Sequence, residues 1–135
     1  MMPDFNDLIG KPFDPDSYGP DAYSCYGLAV EVFRRFGIEI PRTDISVCAC
    51  KAASMREIDR HVALYWQALD KPETPCGLII KSLDPLYAHH TGVYIGRGRI
   101  IHTSISRNCV IDRFHDWKDY IIGIYRYAGN DHSRH

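Results

Sequence analysis

Neither sign of charge is in excess in this sequence: 16 lysines and arginines face 17 aspartates and glutamates in 135 residues. A net charge this close to zero supplies no electrostatic attraction for nucleic acid or an anionic membrane. Long apolar runs are also missing. No stretch reaches the length of a membrane span, so membrane insertion is not expected. The opening residues, MMPDFNDLIG, carry neither a basic start nor an apolar stretch, so the chain as given shows no secretion signal. The expectation is a protein that is cytoplasmic as made. There is no internal repeat, low-complexity tract or second domain. Residues 1–128 read as one domain, long enough to bury roughly two-thirds of its unfolded surface, and 129–135 as a flexible polar tail.

A disulfide framework is not legible either. The five cysteines (Cys25, Cys48, Cys50, Cys76 and Cys109) are odd in number and irregular in spacing, which argues for a reducing compartment. Cys48-Ala49-Cys50 is too tight for the usual C-x-x-C zinc or redox motifs, and no second pair answers it. No metal and no cofactor are expected.

What the chain does contain is a helix with a cysteine at its head. In DAYSCYGLAVEVFRRFGIEIP, residues 21–41, Leu28, Val32 and Phe36 recur every four residues with Ala29 and Phe33 beside them, giving one apolar stripe. Gly37 stops the helix as a residue able to take positive φ. Cys25 stands at the N-terminus, where the helix dipole and unpaired amides favour thiolate over thiol. The plain alternative is a small apolar residue packed at the start of a buried helix. The segment before it, GKPFDPDSYGPDAY, has three prolines and two glycines and reads as a loop. A second helix is expected from Ser54, where Ser54-Met55-Arg56-Glu57 forms a capping-box pattern. Ile58, Val62, Tyr65 and Leu69 follow at helical spacing, and Asp70, Pro72 and Pro75 end it.

From residue 77 the period shortens. GLIIKS, HTGVYI, RIIHTS, CVIDR and IIGIYRY are five β-branched and aromatic runs between turn signals, with no helices between them. Helices first and strands second make an α+β domain with an antiparallel sheet of about five strands. Two histidines fall inside strands. A two-residue turn at Arg97-Gly98 pairs Val93 with His102 and sends His90 and His102 to opposite faces. A three-residue loop, Gly96 to Gly98, pairs Gly92 with His102 and puts both imidazoles on one face. In that second register His90 is the natural base for Cys25 and His102 its orienter. Otherwise each is a half-buried strand residue with local partners. His89 faces the other way and is the weaker base.

Four segments in order resemble the NlpC/p60 family of cell-wall cysteine peptidases: G-K-P-F at 10–13, S-C-Y-G-L-A-V-E-V-F-R-R-F-G-I-E-I-P at 24–41, T-P-C-G-L-I-I at 74–80, and H-T-G-V-Y-I-G-R-G-R-I-I-H at 90–102. The resemblance implies a papain-like core, a nucleophile helix packed on an antiparallel sheet. It also implies metal-free hydrolysis of amide bonds in peptidoglycan stem peptides, commonly γ-D-glutamyl to diaminopimelate. Cys25 carries over as nucleophile, His90 as general base and His102 as the third catalytic residue. Phe13, Tyr23, Ser24 and Tyr26 line the implied substrate side. Many members have Asp and Ser flanking the cysteine, where this chain has Ser24 and Tyr26, and Phe13 replaces a usual tyrosine. The variant C-Y-G-L looks most like compact phage-tail members, which implies tail or envelope proteins as partners and incorporation in a virion. The same core also serves as an assembly module of little activity, or as an amidase or acyltransferase.

Overall fold

The computed structural model describes residues 2–42, 60, 64–81 and 89–129. A single 3₁₀ turn, Asn6–Leu8, is followed by a loop and then by helix α1, Cys25–Arg35. Six strands follow: β1 (Trp66–Ala68), β2 (Cys76–Lys81), β3 (His89–Gly96), β4 (Arg99–Ser104), β5 (Asn108–Arg113) and β6 (Ile121–Tyr127). They form one sheet in the order β1-β6-β2-β3-β4-β5, and every neighbouring pair is antiparallel. Among the described residues no helix is long and apolar enough to cross a membrane.

Helix α1 forms where its pattern predicts. Ser24 is the N-cap: its backbone is extended and its Oγ accepts the Gly27 amide at 2.8 Å. At the other end Phe36 caps the helix and Gly37 takes φ 84°, so the chain turns away without steric cost. Leu28, Val32 and Phe33 are fully buried against Val93, Ile95 and Ile101, and each such side chain contributes roughly 1.5–3 kcal/mol. Helix α1 therefore packs on β3 and β4, the strands that carry the two histidines.

The sheet's other face has a separate apolar cluster of Cys76, Leu78, Ile80 and Ile100. Tyr94, Phe114 and Trp117 pack against it. Phe114 and Trp117 belong to α2 (Phe114–Trp117), a short helix followed by a 3₁₀ turn, Lys118–Tyr120. The five strand-like runs of the sequence are β2 to β6, but the expectation of no helix between them fails at α2. Phe114 opens it by donating its amide to the Gly98 carbonyl at 2.8 Å, so the β3–β4 turn nucleates a helix that four residues could not sustain alone.

The second helix is also corrected at its end. Arg60, Leu64 and Tyr65 are helical, but Trp66–Ala68 is strand β1, paired with β6 through Trp66 opposite Tyr127. Trp66 sits at an edge of Phe33, ring centroids 5.5 Å apart, and at 5.1 Å from Tyr127. That aromatic packing and a free edge on β6 outweigh the helical spacing that included Leu69. The Ser54 capping box and residues 130–135 of the tail lie outside the described residues.

Candidate active site

The hairpin that decides the histidine geometry uses parts of both turns considered above. Arg97 (φ 56°) and Gly98 (φ 72°) form a two-residue turn with both central residues left-handed, and Gly96 pairs with Arg99. The register then shifts between Tyr94 and Gly96, and the bulge absorbs one residue. Beyond it Gly92 stands opposite His102, as in the three-residue alternative. A bulge thus restores the parity that the tight turn would have lost.

The result is a hydrogen-bonded pair of imidazoles. His90 Nε2 lies 3.1 Å from His102 Nδ1, and the ring planes are within 6° of parallel with centroids 5.3 Å apart. Both rings are buried, His102 to 3% exposure. On its far side His102 Nε2 meets Asp112 Oδ2 at 2.8 Å. Asp112 comes from β5, where it pairs with Ile100, two residues from His102 and on the same face. Arg107 clamps the same carboxylate with two bonds, 2.7 and 3.1 Å, and Trp117 donates its indole N–H to Oδ2 at 3.0 Å. Trp117 also stands edge-on to both rings, 4.7 Å from His102 and 6.2 Å from His90.

Electrostatics follow from these partners. Burial works to raise the Asp112 carboxyl, but bonds from Arg107 and His102 outweigh it and hold its pKa down at about 2. Burial also outweighs the Asp112 bond at His102 and keeps that imidazole below the usual histidine value. Near neutrality the arrangement is a carboxylate beside an uncharged ring. Among the described residues the free thiols are Cys76 and Cys109, and burial pushes them up to about 11 and about 12, which makes both poor nucleophiles.

Cys25 is the first residue of α1 and is buried. It is disulfide-bonded, while Cys76 and Cys109 are free thiols. The odd, irregularly spaced cysteines argue against a disulfide framework, yet among the described residues Cys25 is bridged, and one bonded cysteine requires no regular spacing. Cys48 and Cys50 lie outside the described residues. The strand pairings place His90 and His102 on the sheet face of Leu78 and Ile80, whereas the apolar stripe of α1 packs on the face of Val93 and Ile101. The structure joins the two histidines to Asp112. Cys25 belongs to the helix layer, at the end of α1, and His90 is the second residue of β3, at the end of its strand.

Of the four residues expected on the substrate side, Phe13 and Tyr23 lie in the loop before α1, Ser24 is the helix N-cap and Tyr26 its second residue. Tyr23 pairs by single bridges with Phe13 and with Tyr18, and Ser17 Oγ accepts the Gly19 amide and donates to the Ala22 carbonyl. Phe13 is half-buried; Tyr23, Ser24 and Tyr26 are buried. Ser24 serves as the helix cap, and the Tyr26 hydroxyl donates to the Pro41 carbonyl at 2.5 Å, tying the start of α1 to the chain beyond its end. Burial raises the pKa of both Tyr23 and Tyr26.

No family model matches the chain, and no curated protein does. Solved structures do. NlpC1 from Trichomonas vaginalis superposes with TM-score 0.61 at 24% identity, covering 90% of this chain and 41% of that one. NlpC2 from the same organism gives 0.62 at 22%, covering 90% and 44%. A lipoprotein-like protein of the NLP/p60 family from Staphylococcus aureus gives 0.59 at 19%, covering 91% and 38%. The fold is that of the NlpC/p60 proteins. The α+β architecture expected from the sequence, a helix on an antiparallel sheet, is therefore the NlpC type, with six strands rather than about five. The chain spans less than half the length of each of these NlpC/p60 proteins, and none of the three is described as a phage-tail protein.

Asp112, Arg107 and Trp117 escaped the sequence reading. Asp112 had a usable signal: the β4–β5 turn ends at Asn108 with φ 61°, and a three-residue loop at 105–107 puts Asp112 on the His102 face by parity. Trp117 had none, because α2 is held by a tertiary bond to the β3–β4 turn.

Proposed function

We propose that this protein is a thiol hydrolase that cleaves an amide bond in bacterial peptidoglycan stem peptides, of the γ-D-glutamyl-diaminopimelate type. The observation that carries the reading is the chain of bonds from His90 through His102 to Asp112, on strands packed by a helix whose first residue is Cys25. Reduction of the Cys25 disulfide comes first. The thiol proton then passes to His90 Nδ1, the ring nitrogen opposite the His102 bond, and the sulfur attacks the amide carbon. His90 returns that proton to the leaving amine. Water, deprotonated by the same nitrogen, releases the acyl group as a carboxylic acid. Phe13, Tyr23, Ser24 and Tyr26 stand around the helix start on the side where the stem peptide enters. The test is hydrolysis of purified muropeptides by the reduced protein and by Cys25→Ala. Hydrolysis lost in the variant, with an unchanged circular-dichroism spectrum, supports the reading, and equal activity of the two overturns it.

A second reading draws on the same disulfide. A cysteine held in a bridge stabilises a fold and performs no attack, which fits an envelope or tail assembly module with this architecture. Reduction separates the two readings: the hydrolase gains activity with reductant, whereas the module only loses stability.

A further inference from the structure

We propose that Asp112 is a positioning residue that fixes the proton arrangement of both histidines, so that His90 presents an unprotonated Nδ1 to the nucleophile. This rests on the hydrolase reading above, and it deepens that reading by extending the site beyond three residues. An ionised carboxylate only accepts hydrogen bonds. His102 Nε2, 2.8 Å from Asp112 Oδ2, must therefore carry a proton. A neutral imidazole has one N–H, so His102 Nδ1 is left with its lone pair and accepts. Its partner at 3.1 Å, His90 Nε2, must then be the donor. A His90 ring with a single proton then carries it on Nε2, which leaves Nδ1 unprotonated. Each step follows from the one before it, and the direction of the whole chain is set at Asp112.

The surroundings of Asp112 enforce its role. Oδ2 faces three donors (His102 Nε2, Arg107 Nη1 and the Trp117 indole) and Oδ1 faces Arg107 Nη2. No acceptor among these partners would favour a protonated carboxyl. When His90 takes the thiol proton and becomes a cation, the same chain stabilises it without further proton movement: His102 still accepts and Asp112 still carries the negative charge. Asp112 bonds His102, and His102 in turn bonds His90, so Asp112 acts on the base through His102.

The ring nitrogens report this directly. Nitrogen-15 NMR of the full-length reduced protein should show both His90 and His102 protonated at Nε2 and unprotonated at Nδ1. In Asp112→Ala, His102 should become a mixture of tautomers. The kcat should fall by about tenfold or more, bounded by the roughly 10⁴-fold lost when an orienting carboxylate is removed from a serine-protease histidine. Asp112→Asn replaces one carboxylate oxygen by an NH2 donor that can face His102 Nε2, so it should also shift His102 toward the Nδ1-protonated tautomer and lower the rate. Wild-type protein with His102 protonated at Nδ1 overturns the proposal, as does Asp112→Ala with unchanged tautomers. Because the spectra need no substrate, the expected tautomers without muropeptide hydrolysis would sink the hydrolase reading and leave the relay standing.

Discussion

Gly92 lies directly opposite His102, and a Cβ built on it would come 3.3 Å from the His102 Cβ and 2.9 Å from Ile80 Cδ1. The flexible Ile80 methyl can move, but the His102 Cβ is fixed by its strand. Gly92→Ala should therefore push the His102 ring off its bonds to His90 and Asp112. We expect a folded protein destabilised by about 1–3 kcal/mol and strongly impaired in turnover. Ile80→Val in the same chain should recover stability more than activity, because it relieves only the methyl contact. Urea titration and muropeptide turnover of the single and double variants check this.

The two histidines should differ in their contribution. In the proposed mechanism His90→Ala removes the base and should lower turnover about 10²- to 10⁴-fold. His102→Ala leaves the base but removes its orienting partner, and should cost less. Equal losses would place His102 in direct contact with the reacting atoms. Single-turnover kinetics on a muropeptide with each variant, folded by circular dichroism, distinguish the two.

The elements legible in the sequence are those set by local periodicity. The α1 stripe, the Gly37 stop and the alternation in β2 to β6 each depend on residues within one element, and each forms where the pattern put it. Trp66–Ala68 shows the limit: its helical spacing is overruled by pairing with Tyr127 and contact with Phe33, distant in sequence. The histidine pair was half legible. Parity left two registers, and a bulge whose position no local rule dictates chose between them. The carboxylate end of the site was not read because Asp112 looks like any polar residue in a strand until β4 and β5 are in register.

Thiol chemistry should be conditional on reduction. Cys25 is disulfide-bonded, and burial raises the pKa of both Cys76 and Cys109. Without reductant, iodoacetamide at mildly acidic pH should modify none of these three. After reduction it should modify Cys25 well before the other two, and muropeptide hydrolysis should appear in parallel. Peptide mapping by mass spectrometry reads the sites. Rapid modification of Cys25 without reductant would refute the bridged state.

Ser24 occupies the position just before Cys25, and its Oγ accepts the Gly27 amide. Ser24→Ala leaves that amide without its cap and should cost about 0.5–2 kcal/mol of stability. Ser24→Asp keeps an acceptor and adds charge at the positive helix end, so it should retain or raise stability. Thermal unfolding of the two variants checks the sign.

Acidification should destabilise the fold in two steps, and the sign follows from which state binds more protons. His102 is held below the ordinary histidine pKa by burial, against the opposing pull of Asp112. As pH falls below about 6.5 the unfolded chain takes up a proton that the native ring resists, so stability falls. Asp112 is held at about 2. Its contribution is full above the unfolded value of about 3.9 and is lost as pH falls from there through about 2. Glu31, paired with Arg34 and Arg35, is also lowered and adds to the second step. Urea unfolding at about pH 7.5, 5 and 3 should show stability declining across both intervals. The His102→Asn variant should flatten the upper interval and Asp112→Asn the lower one. A wild-type stability that rises between pH 7.5 and 5, with the variants parallel to it, would mean that the buried ring is protonated in the native state.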